Sequence, residues 1–214
     1  MTTITLTDAA IGSGLGAAVP PLTATIAPGA PAVLAVETDE RPLLVSMLVG
    51  GRIRPASGSV LFDGTGDAHT PRHRTALVDT PFVAEPAPGV SLGIVVSEEF
   101  SFSRRSGGAK QVQRFLAEHG LADYARIEVR ALPPAARVRI FSELALLRDG
   151  VDTLVITSPE RHGGEPGEWF AYLSSVAERG ITVVVVTDAL TRTTLLSLGA
   201  VDALAAVTSE GTES

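Results

Sequence analysis

The last third of the chain alternates between two kinds of segment, and that alternation limits the possible folds more than any other feature. Thr153 to Ile156, Thr182 to Val186 and Val201 to Ala206 are short, nearly unbroken Val/Ile/Leu/Ala runs, while Glu168 to Glu178 and Thr191 to Leu198 between them read as helices. A strand that is apolar at every position leaves no face for water. The pattern therefore predicts a parallel sheet with elements packed on both faces, an α/β fold. Upstream, Ile4 to Leu6, Leu22 to Ile26, Ala32 to Val36, Val60 to Phe62 and Ala76 to Val78 read as further strands. Leu43, Leu44, Met47 and Leu48 recur at helical spacing before Gly50-Gly51 ends the helix. The Gly- and Pro-rich run DGTGDAHTPRHR reads as a loop, and helices are expected over Gln111 to Tyr124 and, after Pro133-Pro134, over Ala135 to Leu147.

Composition narrows the function classes. The chain has 214 residues, 45% of them hydrophobic and 19% charged, enough to bury a sizeable core. A formal charge of -7 argues against a nucleic-acid or anionic-membrane surface, which needs clustered cations. The pairs Arg72 with Arg74 and Arg104 with Arg105 are too short for that and read as solvated. No apolar run approaches the roughly twenty residues of a membrane span, and MTTITLTDAA lacks the order of a signal peptide. The expectation is a cytoplasmic chain without membrane insertion. Cysteine is absent, which excludes disulfides and thiolate metal sites.

The stretch from Pro28 to Gly64 carries the most specific motif content. A Pro-Gly turn is followed by a buried strand, a loop, an apolar helix, and a segment R-P-x-S-G-x-V-x-x-x-G formed by Arg54, Pro55, Ser57, Gly58, Val60 and Gly64. In this order the stretch resembles the start of an ATP-binding-cassette (ABC) transporter ATPase. The resemblance implies a single P-loop NTPase-like domain over residues 1–214: a three-layer core with a mostly parallel sheet, an N-terminal antiparallel β part and a small helical subdomain inserted at 99–147. It also implies ATP and magnesium as family cofactors, and as partners a permease-like membrane protein or a second ATPase. The chain would then sit peripherally on the inner face of a membrane.

Set on the phosphate-loop pattern G-x-x-x-x-G-K-S/T, the chain has Val36 and Arg41 at the glycines, Pro42 at the lysine and Leu43 at the hydroxyl residue. Those glycines let backbone N–H groups turn toward phosphate, the lysine neutralises it, and the hydroxyl ligates magnesium. Proline supplies neither charge nor N–H. Glu37, Asp39 and Glu40 face a single cation, Arg41, and carboxylates at a helix start repel phosphate. Codon bias accounts for a chain with one lysine, Lys110, and no asparagine, but not for arginine at a glycine.

The other family motifs follow in order with the same kind of change. Leu132 to Leu146 resembles the LSGGQ signature and its helix, with Leu132, Arg137 and Arg139 matching but Pro133 and Pro134 at the serine and first glycine. LVITSP resembles the strand ending in Asp-Glu-Pro, with Thr157 and Ser158 at the magnesium-organising and water-polarising acids. Asp188 stands at the switch histidine, Asp79-Thr80 where a glutamine is expected, and no aromatic precedes Phe62 to stack adenine. Neutral hydroxyls cannot serve as carboxylate bases. The resemblance thus implies a cassette frame that binds neither ATP nor magnesium, a pseudo-ATPase. Family members pair head to tail, and with both half-sites changed this chain would add no working composite site to a partner.

Phe82, Phe100, Phe102, Phe115 and Tyr124 concentrate where the family docks its membrane subunit, and are candidates both for partner contact and for a small subdomain core. Two other functions stay open. One is a residual ATPase in which Arg41 supplies charge and Glu160 or Asp188 replaces the lost base; the other is a small-ligand or protein-interaction module of unspecified ligand. Gly12 to Gly16 imitates a dinucleotide turn, but Pro20 and Pro21 forbid the helix that must follow. His69 and His73 flank Pro71 and read as loop residues, and His119 and His162 have no partner visible in sequence.

Overall fold

A computed structural model describes residues 1–37, 41–66 and 70–204. Its central sheet is fully parallel: β5 (Thr75–Val78), β6 (Thr153–Thr157), β7 (Thr182–Thr187), β3 (Ala32–Ala35) and β8 (Val201–Asp202), in that order. A three-stranded antiparallel sheet joins β2 (Val19–Ile26), β1 (Ile4–Ile11) and β4 (Ser57–Phe62).

The apolar strands explain the layering. Val183 and Val185 point into one core with Ala76, Val78, Leu154 and Ile156, whereas Val184 and Val186 point into a second with Leu77 and Val155. Since side chains alternate along a strand, a continuous apolar run feeds both cores at once. The first core is closed by α3 (Leu92–Phe102), α4 (Ala109–Glu118), α5 (Pro134–Ala145), α6 (Pro166–Glu178) and α7 (Ala189–Ser197). The second is closed by α1 (Arg41–Val49) and the antiparallel sheet. These are the three layers, the antiparallel β part and the helical region that the sequence led us to expect.

Several boundaries differ from the sequence expectations for identifiable reasons. Strand β1 runs past Leu6 because Asp8, at φ +46, makes a bulge that shifts its register with both neighbours. The glycine of the R-P-x-S-G segment belongs to the same feature. Gly58 has φ +72, and a Cβ there would lie 2.2 Å from the Asp8 carbonyl oxygen. Helix α4 stops at Glu118 because Gly120, at φ +70, reverses the chain, so Ala122–Tyr124 forms a separate 3-10 turn. Thr70–Arg74 is a short helix, α2, where a loop was expected; Pro71 falls in its first turn, where a missing N–H is tolerated. Helix α3 was not foreseen, although Leu92, Val95, Val96 and Phe100 are buried at helical spacing. Strand β8 is placed at Val201–Asp202, and the end of the expected strand lies outside the described residues, as does the TSEGTES tail. No helix among the described residues is long and apolar enough to cross a membrane.

Candidate functional site

Strands β5, β6, β7 and β3 all end at one edge of the sheet, and the residues just beyond them carry nearly all the sequence-derived site positions. In an open parallel sheet, ligands bind outside the carboxyl ends of the strands. Here β5 leads into Asp79-Thr80, β6 ends in Thr157-Ser158, β7 leads into Asp188, and β3 into Val36 and Glu37. Asp39 and Glu40 lie outside the described residues, as does His69.

A chain of buried hydroxyls lies below this edge. Thr157 Oγ1 donates to Ser46 Oγ on α1 at 2.8 Å and lies 2.7 Å from Thr80 Oγ1. It spans α1, β6 and β5. All its members are neutral, so nothing in the chain offers a divalent cation the anionic oxygens it selects.

Beside the hydroxyls sits an ion cluster built on Asp79. Arg137 donates from Nε and Nη2 to the two Asp79 carboxylate oxygens, each at 2.7 Å, and both side chains are buried. Arg137 also donates to the Val129 carbonyl and stacks over Phe141. His162 Nε2 lies 2.9 Å from Asp79 Oδ2, so this histidine, unpartnered in sequence, acquires its carboxylate across 83 residues of chain. Arg161 ties the ends of two strands together, donating to the Thr157, Ser158 and Asp79 carbonyls, and with Arg137 it reaches Glu85. Burial alone would raise the Asp79 carboxyl, but hydrogen bonds from His162 and Arg137 outweigh it and hold the group below the usual carboxylate range. Asp79, Glu85 and His162 come within metal-ligating distance of one another, yet the two guanidiniums already supply the cation.

Above the hydroxyls opens a cleft of about 550 Å³. Val36, Pro42, Leu43, Pro81 and Phe82 form its apolar wall; Thr157, Ser158, Glu160, Arg161 and Asp188 form the polar one. Arg41, the one cation of the phosphate-loop segment, pairs with Glu37 and donates to the Ala18 carbonyl. Asp188 accepts from the Thr191 N–H at 2.6 Å and so caps α7. Glu160 is different. Its Oε2 is sealed from solvent without a hydrogen-bond partner, and so is the hydroxyl of neighbouring Thr187. The Glu160 backbone N–H and the Thr187 and Ser158 hydroxyls lie near enough to ease the Glu160 charge. Burial foremost, then the Asp188 charge, push the Glu160 carboxyl above its ordinary value.

Three non-glycine residues on this rim hold left-handed backbone: Asp79 at φ +51, Ser158 at φ +44 and Phe82 at φ +60. The conformation is most strained for the bulky phenylalanine. Phe82 is held there by the turn in which the Thr80 carbonyl accepts from the N–H groups of Val83, Ala84 and Glu85.

The remaining expected positions separate. Pro133 is the N-cap of α5 and Pro134 its first residue, so the first two positions of this helix start bring no N–H to an anion. The aromatic set divides in two. Phe100 and Phe115 pack edge-to-face at 5.2 Å inside the helical core, and Tyr124 packs half-buried against the same core. Phe100 and Phe115 thus close the apolar interior of α3 and α4, while Tyr124 keeps part of its surface open. Phe82 and Phe102 are 98% and 78% exposed. A second groove of about 200 Å³ runs between the 83–86 turn, α3 and α5, lined by Val83, Pro86, Val95 and Phe141 with Glu99 and Arg148. Sequence reasoning missed Arg161, Glu85 and the His162 contact; the nearest signal was the run Pro159-Glu160-Arg161-His162, which folds as a 3-10 turn directly after β6.

No protein-family model matches the chain, and no curated protein sequence matches it significantly. Solved structures do. A nucleotide-free ATP-binding cassette from an ABC transporter superposes with TM-score 0.65 at 14% identity, over 89% of this chain and 83% of that one. A dimeric cassette in a post-hydrolysis state, bound to ADP and Pi, gives 0.63 at 17%, over 87% and 88%. The cbiO1 protein of Clostridium perfringens, part of the transporter complex cbiONQ, gives 0.60 at 16%, over 86% and 78%. At these identities the likeness establishes architecture, and the architecture of this chain is that of an ATP-binding cassette.

Proposed function

We propose that the chain is a catalytically inactive cassette-like subunit, a docking or regulatory component of a membrane transporter-like complex. The observation that carries this reading is the hydroxyl chain Ser46, Thr157 and Thr80, which stands where the resemblance calls for magnesium-organising groups. Phosphoryl transfer depends on positioned charge: a metal, a lysine and a base. The described residues do not fit a magnesium-phosphate group, since Pro42 brings no N–H, Arg41 is engaged by Glu37, and the nearest arginine, Arg161, is engaged by carbonyls and carboxylates. The partner is a permease-like membrane protein or a second ATPase. Its contact region is the groove between the 83–86 turn, α3 and α5, with Phe82 and Phe102 as the exposed aromatics of that side of the sequence. On this reading the chain sits on the inner face of a membrane through its partner.

Two measurements test the reading. Titration calorimetry with ATP and magnesium is expected to give no heat up to millimolar nucleotide; micromolar binding would restore the residual ATPase. Co-expression with the products of neighbouring genes is expected to recover a complex that Val83→Asp in the groove disrupts. Recovery as a free monomer in every such test would count against docking.

A further inference from the structure

The groove between the 83–86 turn, α3 and α5 has a charge pattern of its own. Its walls are apolar, with Leu77, Val83, Val95, Phe141 and Leu144 among them, and its volume is about 200 Å³. That is roughly seven times the share of a water, about 30 Å³, which is room for one anchoring side chain and not for a whole segment. The groove also carries Arg148, whose exposed guanidinium makes neither an ion pair nor a hydrogen bond among the described residues.

Two more guanidiniums stand near Arg148, and neither meets a carboxylate. Arg52 donates to the Gly50 and Thr75 carbonyls, each at 2.9 Å, and Arg72 donates to the Gly51 and Arg52 carbonyls at 3.2 and 3.5 Å. Carbonyls fix both side chains and leave their charge unbalanced. Burial first, then the charges of Arg148 and Arg72, push the Arg52 guanidinium below its ordinary value, as like charges held close together must. The acid on the groove is Glu99, which is half-buried, raised above its ordinary value by burial foremost, and not within ion-pair distance of Arg148. In a chain of formal charge -7, an acidic partner is repelled by most of the surface and attracted at this end of the groove, so the cluster fixes which way round it lies.

Given the docking reading, on which this rests, we propose that the groove takes a cytoplasmic segment of the membrane partner bearing an apolar anchor and, beside it, one or more carboxylates. The anchor enters between Val83 and Phe141, and the carboxylates meet Arg148, with Arg52 and Arg72 adding their charge. An anchored apolar side chain next to a charge pair shielded from water is how a small contact area becomes specific. Short cytoplasmic loops of membrane proteins carry an excess of Lys and Arg. A segment fitting this groove departs from that trend and is recognisable by its acids.

The test uses the full chain, co-expressed with the permease-like product of a neighbouring gene and purified with it in detergent. Arg148→Glu, at an exposed residue with no ion pair or hydrogen bond to lose, is expected to keep the unfolding midpoint and to weaken the complex by about tenfold or more; Arg72→Glu should weaken it less. The dissociation constant of the unaltered chain should rise steeply between about 50 and 500 mM salt, and that of Arg148→Glu much less. Changing the partner's acid to arginine should weaken the unaltered chain and restore Arg148→Glu. A complex that Val83→Asp disrupts but that Arg148→Glu and salt leave intact would overturn this inference and spare the docking reading. A complex indifferent to all three substitutions, or none with any neighbouring membrane protein, would overturn both. Binding of the chain alone to phosphatidylglycerol vesicles, pairing of two copies through the groove, or a second ATPase seated at Arg148 would give the cluster another occupant and overturn the proposal.

Discussion

The two ends of the parallel sheet use the same residue types for different purposes. At the amino-terminal end, Arg74 bridges Asp152 and Asp63, the chain's amino group also meets Asp152, and Thr2 exchanges hydrogen bonds with Asp152 and Thr182. Both carboxylates of this network, Asp63 and Asp152, have cationic partners, and the network ties β1 and β4 to β5, β6 and β7. At the carboxyl end, Asp79 and Arg137 are as well paired but buried, and beside them stand strained backbone and an acid with an unpartnered oxygen. Left-handed backbone occurs at both ends, at Asp63 as at Asp79, so burial is what separates them: a dry ion pair depends on its partner far more than one screened by water.

Substitutions can break this contrast in a graded way. Arg137→Met takes from the buried Asp79 carboxylate its two-pronged guanidinium partner, leaving only Arg161 and His162, and is expected to lower unfolding stability by up to about 3–5 kcal/mol, read by urea denaturation; a loss below about 1 kcal/mol would mean that the pair contributes no more than a surface one. Acid comes next. Asp79 and Asp152 both have carboxyls depressed in the folded chain, so the stability they confer is complete above about pH 4, the unfolded value, and is lost as pH falls through the folded values. Denaturation midpoints measured from pH 7 to pH 2.5 should fall below that threshold, and Asp152→Asn should flatten part of the slope. A flat profile throughout would contradict both assignments.

Arg74→Ala removes partners that are partly open to water, so screening limits its expected cost to about 1 kcal/mol. If it equalled Arg137→Met, the two ends would not differ as argued. The smallest effect is Ser158→Gly. Glycine adopts the left-handed backbone without strain, and the change should raise stability by up to about 1 kcal/mol. A marked loss would instead assign the Ser158 side chain a structural role.

The sheet was legible in the sequence because its signal is local and repeated. Val183 to Val186 admits only a strand with two dry faces, and that alone placed layers on either side. The segment around Arg54 to Gly64 was legible because glycine at 58 answers a steric demand, the close carbonyl of Asp8. Helix α3 was not, since its β-branched and aromatic residues carry strand preference and only burial by α4 and α5 decides the matter. The pairing of His162 and Arg137 with Asp79 joins segments 83 and 58 residues apart, and no local pattern encodes it. The cleft was invisible for the same reason: its walls come from four separated segments, and although all its lining residues but Pro81 and Arg161 had been singled out, nothing local says that they meet.

The hydroxyl seam through Ser46, Thr157 and Thr80 also limits what those three positions can accept. Replacing any one of these hydroxyls by an apolar group leaves a buried neighbour short of a hydrogen-bond partner, which is costly away from water. The seam therefore ties three separated segments to one another at a single point, so that a change at any one of its hydroxyls is felt by the other two.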